Sequence, residues 1–466
     1  MKINEKVFRR TARETIGDPR LKAAYEFAMA HNREIRAETT AKVPDIEDMR
    51  DEFKQLRAAT VANLAHYLQQ FEENAQQAGA DVHWAQNQED VGRIVLEIAR
   101  RESAKLAVKS KSMLTEEVHL NEILEDAGLD VVETDLGEYI IQLAGEKPSH
   151  IIAPAVHQTA ETVADLFAQK LGKRASSDPQ NLTALARQTL RKIFLEADIG
   201  ISGANFGVAE TGSVVLVTNE GNGRMVTSLP RVHIAVMGIE RVAPDWHAAA
   251  LWISLLARFA TGQPISIYTS VVTGPAREED PDGPEQVHII LLDNNRTALT
   301  GTQYEEVLEC IRCGSCLSVC PVYLSSGGHA YHSPYSGPIG AVISPLLFGK
   351  QAYKALPNAS TLCGACLEVC PVRIDLPRML LALRADHVRE GLVPPVERFA
   401  EQTAARMFET PRWMRFFFSL GRLGQLFLRL FNIRFNQFDR YPLVARKPFR
   451  EIWAQQAKED DDDSQG

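Results

Sequence analysis

The first 309 residues contain no cysteine; all seven, Cys310, Cys313, Cys316, Cys320, Cys363, Cys366 and Cys370, fall within one later stretch. That distribution excludes a disulfide framework, which would be spread through a small secreted fold. Clustered thiols in a chain of 466 residues point to metal and to a reducing compartment. A membrane-spanning helix needs about 20 mostly apolar residues. The longest apolar run, near Phe416–Phe431, is interrupted by Arg422 and Arg429, so no span is expected. The opening residues Met1 to Lys6 have no apolar h-region, so no secretory signal is expected and the expected location is cytoplasmic. An excess of positive charge is missing as well. The 51 Lys and Arg against 60 Asp and Glu leave −9, which argues against nucleic acid as a partner. Two nucleotide motifs are absent: no G-x-G-x-x-G opens a helix after a strand, and no G-x-x-x-x-G-K-[ST] occurs.

What is present reads as a globular chain of about three domains. With 45% hydrophobic and 24% charged residues, its composition rules out a disordered or fibrous protein. Residues 1–80 read as helical, with Leu56, Val61, Leu64, Tyr67, Leu68 and Phe71 at three- and four-residue steps, and are expected to form a solvated arm. Residues 81–298 alternate between helical and strand periods. Val91–Arg101 and Leu120–Ala127 read as helices. Leu106–Val108, Val131–Glu133, Ile151–Ala153, Val214–Val217, His233–Met237, Ile265–Val272 and Val287–Leu292 read as buried strands. That alternation predicts an α/β domain with a largely parallel sheet. Residues 299–392 hold the cysteines, residues 393–450 form a basic aromatic helical region, and residues 451–466 an acidic, disordered tail.

The cysteine spacing carries chemistry. Cys310-x2-Cys313-x2-Cys316-x3-Cys320-Pro321 is the bacterial ferredoxin run. Its two-residue gaps wrap three thiolates around one cubane, and its fourth cysteine points to a second cluster. Zinc prefers C-x2-C pairs separated by a longer loop. The second arm, Cys363-x2-Cys366-x3-Cys370-Pro371, lacks the leading cysteine; Ser360 stands there. The crossed-ligand rule assigns Cys310, Cys313, Cys316 and Cys370 to one [4Fe–4S] cluster, and leaves Cys320, Cys363 and Cys366 for a second. That second cluster is either [3Fe–4S] or [4Fe–4S] with Ser360, water or another chain's residue as fourth ligand. An open iron there could also bind a hydroxyacid, although a plain electron stop is the simpler reading. The spacer residues His329, Tyr331, His332 and Tyr335 are expected to pack over the clusters rather than to ligate them.

These arms resemble the lactate utilization protein B family, LUD-domain iron–sulfur proteins of bacterial L-lactate oxidation. Gly337–Leu347, Ala204–Ser213 and Leu229–Gly238 carry the resemblance upstream and between the arms, so that it covers about residues 60–450. The resemblance implies an upstream LUD fold like that of sugar-phosphate isomerases and CoA transferases, followed by an α-helical two-cluster ferredoxin-type domain. It also implies electron transport during oxidation of L-lactate to pyruvate, beside a cysteine-rich partner and a stand-alone LUD-domain partner. The redox acceptor stays open. A three-cysteine second arm fits the family pattern.

In the upstream domain, Glu210 and Arg224 flank the strand Val214–Val217 and are candidates for holding a small carboxylate or hydroxyl substrate. Lys109, Lys111 and Ser112 follow the strand Leu106–Val108, and open α/β sheets bind ligands at such strand ends. His150, His157, His233 and His288 read as core or surface residues. In the tail, Phe416, Leu420, Leu423, Phe427 and Leu430 share one helix face, while Arg415, Arg422 and Arg429 share another. This face is expected to pack on the chain itself, to dock in a partner's groove, or to lie peripherally at the inner membrane.

Overall fold

The computed structural model describes residues 5–148, 154–173, 176–430, 445, 449 and 451–456. Two compact units make up the chain, residues 1–386 and 387–466. In the first unit, six strands form one parallel sheet: β1 (Asp81–Ala85), β2 (Leu106–Lys109), β3 (Asp130–Glu133), β4 (Ile199–Gly203), β7 (Val232–Gly238) and β10 (Gln286–Leu292). Their order is β1-β10-β7-β4-β2-β3, and every neighbouring pair is parallel. All seven residues of β7 are buried, as expected for a strand covered on both faces. The chain leaves β2 outward to β3 and returns over β2 to β4. The switch point therefore lies between β2 and β4, where open sheets form their crevice.

Four other strands form a second, mixed sheet: β5 (Phe206–Val208), β6 (Ser213–Thr218), β8 (Val242–Ala243) and β9 (Tyr268–Val272), in the order β8-β5-β6-β9. Val214–Val217 and Ile265–Val272, read as strands of a parallel sheet, belong here. The short turn Ala209–Gly212 folds β6 back antiparallel on β5, and β9 pairs antiparallel with β6. The second of these strands is also shorter than expected. It starts at Tyr268, and Tyr268, Thr269 and Val271 are exposed because β9 is an edge strand. Ile151–Ala153 and His150 lie outside the described residues.

The N-terminal helices are not a solvated arm. Glu5–Gly17, Pro19–Ala41 and Ile46–Ala62 bury Tyr25, Met29 and Phe53. One apolar core contains Tyr25 and Phe53 together with Phe206, Trp252, Cys313, Cys320 and Cys366. Helix Ile46–Ala62 aims Arg50, Lys54 and Arg57 along one face, as their spacing dictates. Arg50 donates to the carbonyls of Glu368 and Cys370, and Lys54 pairs with Glu306 and Glu309. Arg57 donates to the carbonyls of Glu240, Val242 and Leu308.

In the second unit, helices Pro395–Glu409 and Pro411–Leu430 leave Phe416, Leu420 and Leu423 exposed, so within this unit that face is not packed inward. The side chains of Phe427, Arg429 and Leu430, and the tail from residue 457 onward, lie outside the described residues. Among the described residues, no helix is long and apolar enough to cross a membrane.

Candidate iron–sulfur site and the cavity beside it

The loop at Cys310 bends sharply because Arg312 and Gly314 both have positive φ, 58° and 74°. Gly314 supplies that conformation without Cβ strain. The short helix Ser315–Ser318 follows. The bend turns Cys310, Cys313 and Cys316 toward one hollow, and Cys370 from the second arm lines the same hollow with Ile339, Pro371 and Ile374. Cys320 lies near Cys363 and Cys366, within electrostatic reach of both. All seven cysteines are free thiols. Cys313, Cys320 and Cys366 are buried, whereas Cys363 is exposed.

This donor set fits iron–sulfur clusters. Burial and neighbouring sulfurs push Cys370 up to about 12 and Cys366 up to about 11, a cost that bound iron reverses by its charge. Backbone N–H groups of Arg312 and Tyr323 point at Cys310 Sγ (3.4 Å) and Cys320 Sγ (3.5 Å), as donors that tune a cluster do. The spacer residues contact other parts of the chain. Tyr331 is buried edge-on to Phe8 (5.7 Å between ring centres), His329 bonds the Lys147 carbonyl at 2.8 Å, and His332 bonds Thr11 Oγ1 at 3.1 Å.

A cavity of about 390 Å³ opens beside the first arm. Its walls come from the carboxyl ends of β2 (Ser110, Lys111, Ser112), β4 (Gly203) and β7 (Gly238, Glu240, Arg241), and from Arg296 after β10. Arg312 and Tyr335 of the ferredoxin-type segment complete it. Buried charges knit this wall together. Arg296 forms a bidentate pair with Glu117 (2.9 and 2.8 Å) and also meets Glu240 at 2.7 Å. Tyr335 donates its hydroxyl to Glu117, and Arg312 lies 4.7 Å over the Tyr335 ring and 3.5 Å from Glu240. Arg241 donates to the Cys310 carbonyl at 2.7 Å; burial pulls this guanidinium down to about 10. Arg312 Nη1 is buried without a hydrogen-bond partner among the described residues.

Of the upstream candidates, the structure brings Lys111 and Ser112 to the cavity and leaves three out. Lys109 is buried beneath it, paired with Glu133 at 2.6 Å and Thr115 at 2.9 Å. Glu210 accepts from the Trp246 N–H at 3.1 Å, at the start of helix Trp246–Thr261. Arg224 is exposed on helix Asn222–Ser228 and does not line the cavity. Arg241, Arg296 and Arg312 escaped notice in the sequence. The signal was there for two of them, since Arg241 and Arg296 each follow the carboxyl end of a parallel strand.

A LUD domain matches residues 68–292, and a 4Fe–4S dicluster domain matches residues 306–374. The fold and site thus define a LUD-domain iron–sulfur protein. A lactate utilization protein B of Macrococcus caseolyticus is 46% identical over 397 residues, covering 85% of this chain and 83% of its own. That of Bacillus velezensis is 45% identical, covering 86% and 84%, and that of Bacillus licheniformis is 44% identical, covering 97% and 91%. The chain belongs to the lactate utilization protein B family. A solved DUF162 family protein from Deinococcus radiodurans aligns with 49% of this chain and 98% of its own at 13% identity, with a TM-score of 0.28.

Proposed function

We propose that this chain acts in lactate utilization as an electron relay, taking electrons released as L-lactate becomes pyruvate and passing them toward the respiratory chain. Cys310, Cys313, Cys316 and Cys370 would hold one [4Fe–4S] cluster, and Cys320, Cys363 and Cys366 a second, [4Fe–4S] or [3Fe–4S]. The observation that carries the reading is the placement of Cys370 in one hollow with the first three cysteines, while Cys363 stands exposed. Bound clusters supply one-electron oxidation and reduction. The chain's residues do the rest. Buried Cys313 and the apolar wall around it exclude water from the inner site, and exposed Cys363 brings the outer site to the surface where a partner docks. The partners in this reading are a cysteine-rich protein and a LUD-domain protein, in the cytoplasm or peripherally at the inner membrane. The six-stranded parallel sheet supports the likeness to sugar-phosphate isomerases and CoA transferases.

A second reading makes the chain itself the site of 2-hydroxy acid oxidation. One observation favours it: the partnerless Arg312 Nη1 lies in the cavity wall, two residues from Cys310. A buried N–H left unpaired costs about 1–3 kcal/mol, which a carboxylate in the cavity would relieve. One experiment separates the two. The anaerobically purified protein is followed by EPR and visible absorption, first with L-lactate and then with dithionite. Reduction by dithionite alone is expected of the relay. Reduction by lactate without a partner would replace the relay with the second reading.

A further inference from the structure

We propose that Ser360 is the fourth ligand of the second cluster, binding through Oγ and making that cluster a complete [4Fe–4S] centre. The inference rests on the assignment of the seven cysteines above and goes beyond it, because no thiol remains to fill the place.

The two arms are a structural repeat with a constant offset of fifty residues: Cys310, Cys313, Cys316 and Cys320 correspond to Ser360, Cys363, Cys366 and Cys370. The backbone repeats as closely as the spacing. Arg312 and Gly314 have φ of 58° and 74°, and Leu362 and Gly364 have φ of 54° and 85°. Positive φ at a non-glycine residue is uncommon, so its recurrence at Arg312 and Leu362 marks one loop conformation used twice. A four-residue helix follows each time, Ser315–Ser318 and Ala365–Glu368.

The side-chain atoms repeat as well. The Arg312 N–H points at Cys310 Sγ at 3.4 Å, and the Leu362 N–H points at Ser360 Oγ at 3.1 Å. At the next ligand, the Ser315 N–H serves Cys313 Sγ, and the Ala365 N–H serves Cys363 Sγ. Ser360 Oγ therefore stands in its loop as Cys310 Sγ stands in the first. The posture is held from behind: Arg384 donates to the carbonyls of Pro357 (2.9 Å) and Ser360 (3.2 Å).

The chemistry balances simply. The Ser360 O–H bond breaks, its proton leaves to solvent, and an Oγ–iron bond forms with no change in oxidation state. Iron's charge drives that deprotonation, as bound metal ions do for water. An alkoxide is a harder donor than a thiolate and favours oxidised iron. The second cluster is therefore expected to have a lower potential than it would with four thiolates.

The test uses the full chain, purified without oxygen, as wild type, Ser360→Ala and Ser360→Cys. Iron and sulfide content, Mössbauer spectra and EPR are recorded for each. The wild type is expected to hold two complete cubanes. Ser360→Ala is expected to lose one iron per chain and to show the signal of an oxidised three-iron centre, with the first cluster's signal unchanged. Ser360→Cys is expected to keep all its iron, with the second cluster's reduced EPR signal altered and its potential raised. A three-iron centre already present in the wild type would overturn the proposal. So would a Ser360→Ala protein with full iron and an unaltered spectrum. Should Ser360→Ala fail to fold, Ser360→Cys decides: an unchanged signal and potential count against Ser360. None of these outcomes touches the relay, which stands or falls on reduction by lactate.

Discussion

At the scale of single residues, buried ionisable groups in this protein shift in opposite directions according to what surrounds them. Arg296, with both carboxylates around it, is held well above the ordinary guanidinium range despite full burial. His233 shows the opposite. It sits in the middle of the parallel sheet, fully buried, with Nε2 2.8 Å from Ser202 Oγ and Nδ1 without a partner among the described residues. Burial, helped by His288 on the adjoining strand, pulls it down from 6.5 to about 4. A second proton would be buried with no acceptor. Because the folded value lies below the unfolded one, the neutral ring contributes stability fully above pH 6.5. That contribution is lost as pH falls from 6.5 through 4. At about 1.4 kcal/mol per unit, the loss is on the order of 3 kcal/mol. Urea midpoints taken at neutral pH and near the lower limit should therefore fall further in the wild type than in His233→Gln. Equal falls would remove His233 as the cause.

At the scale of elements, helix Ile46–Ala62 ties the parallel-sheet domain to the cysteine-bearing segment. Arg57 alone holds carbonyls from both, Glu240 and Val242 on one side and Leu308 on the other, and stacks 4.5 Å from Trp252. Replacing it with Ala leaves these buried acceptors unpaired at about 1–3 kcal/mol each. Arg57→Ala is expected to be destabilised by at least roughly 3 kcal/mol and to lose its visible absorption faster in air. A melting temperature within a degree or so of wild type would sink this role. The sequence made much of the architecture legible: β2, β3, β7 and β10 announced themselves as apolar runs. Strands β1, β4, β5 and β8 did not: β1 mixes Asp81 and His83 among its apolar residues, β4 and β5 carry glycine, and β5 and β8 are only three and two residues long. The arm's burial was hidden for a different reason. Arg50, Lys54 and Arg57 look like a solvated face, and only tertiary contacts reveal that their targets are backbone carbonyls and acidic side chains of distant segments. The cysteine grouping was readable from spacing, whereas the cavity was not, since its wall gathers residues separated by more than 200 positions.

At the scale of the whole molecule, two of the apolar cores in the first unit differ in their cysteine content. One lies between the helices and β2, β4, β7 and β10 and contains no cysteine: Val91, Ile94, Val95, Leu124, Ile201, Ile234, Val236 and Ile290 belong to it. The other includes Cys313, Cys320 and Cys366 among its buried members, with Tyr25, Phe53, Trp252, Tyr323 and Met379 around them. Metal bound by such thiols contributes directly to folding, so its removal should strip stability from the second core and spare the first. Chelating iron under reducing conditions is therefore expected to raise amide hydrogen exchange across residues 299–386 and along helix Ile46–Ala62. Strands β4 and β7 should remain protected. A uniform rise across both cores would mean that the sheet depends on the clusters for its own stability. No rise at all would mean that the thiol-bearing segment folds on packing alone, with Arg50, Lys54 and Arg57 sufficient to hold it.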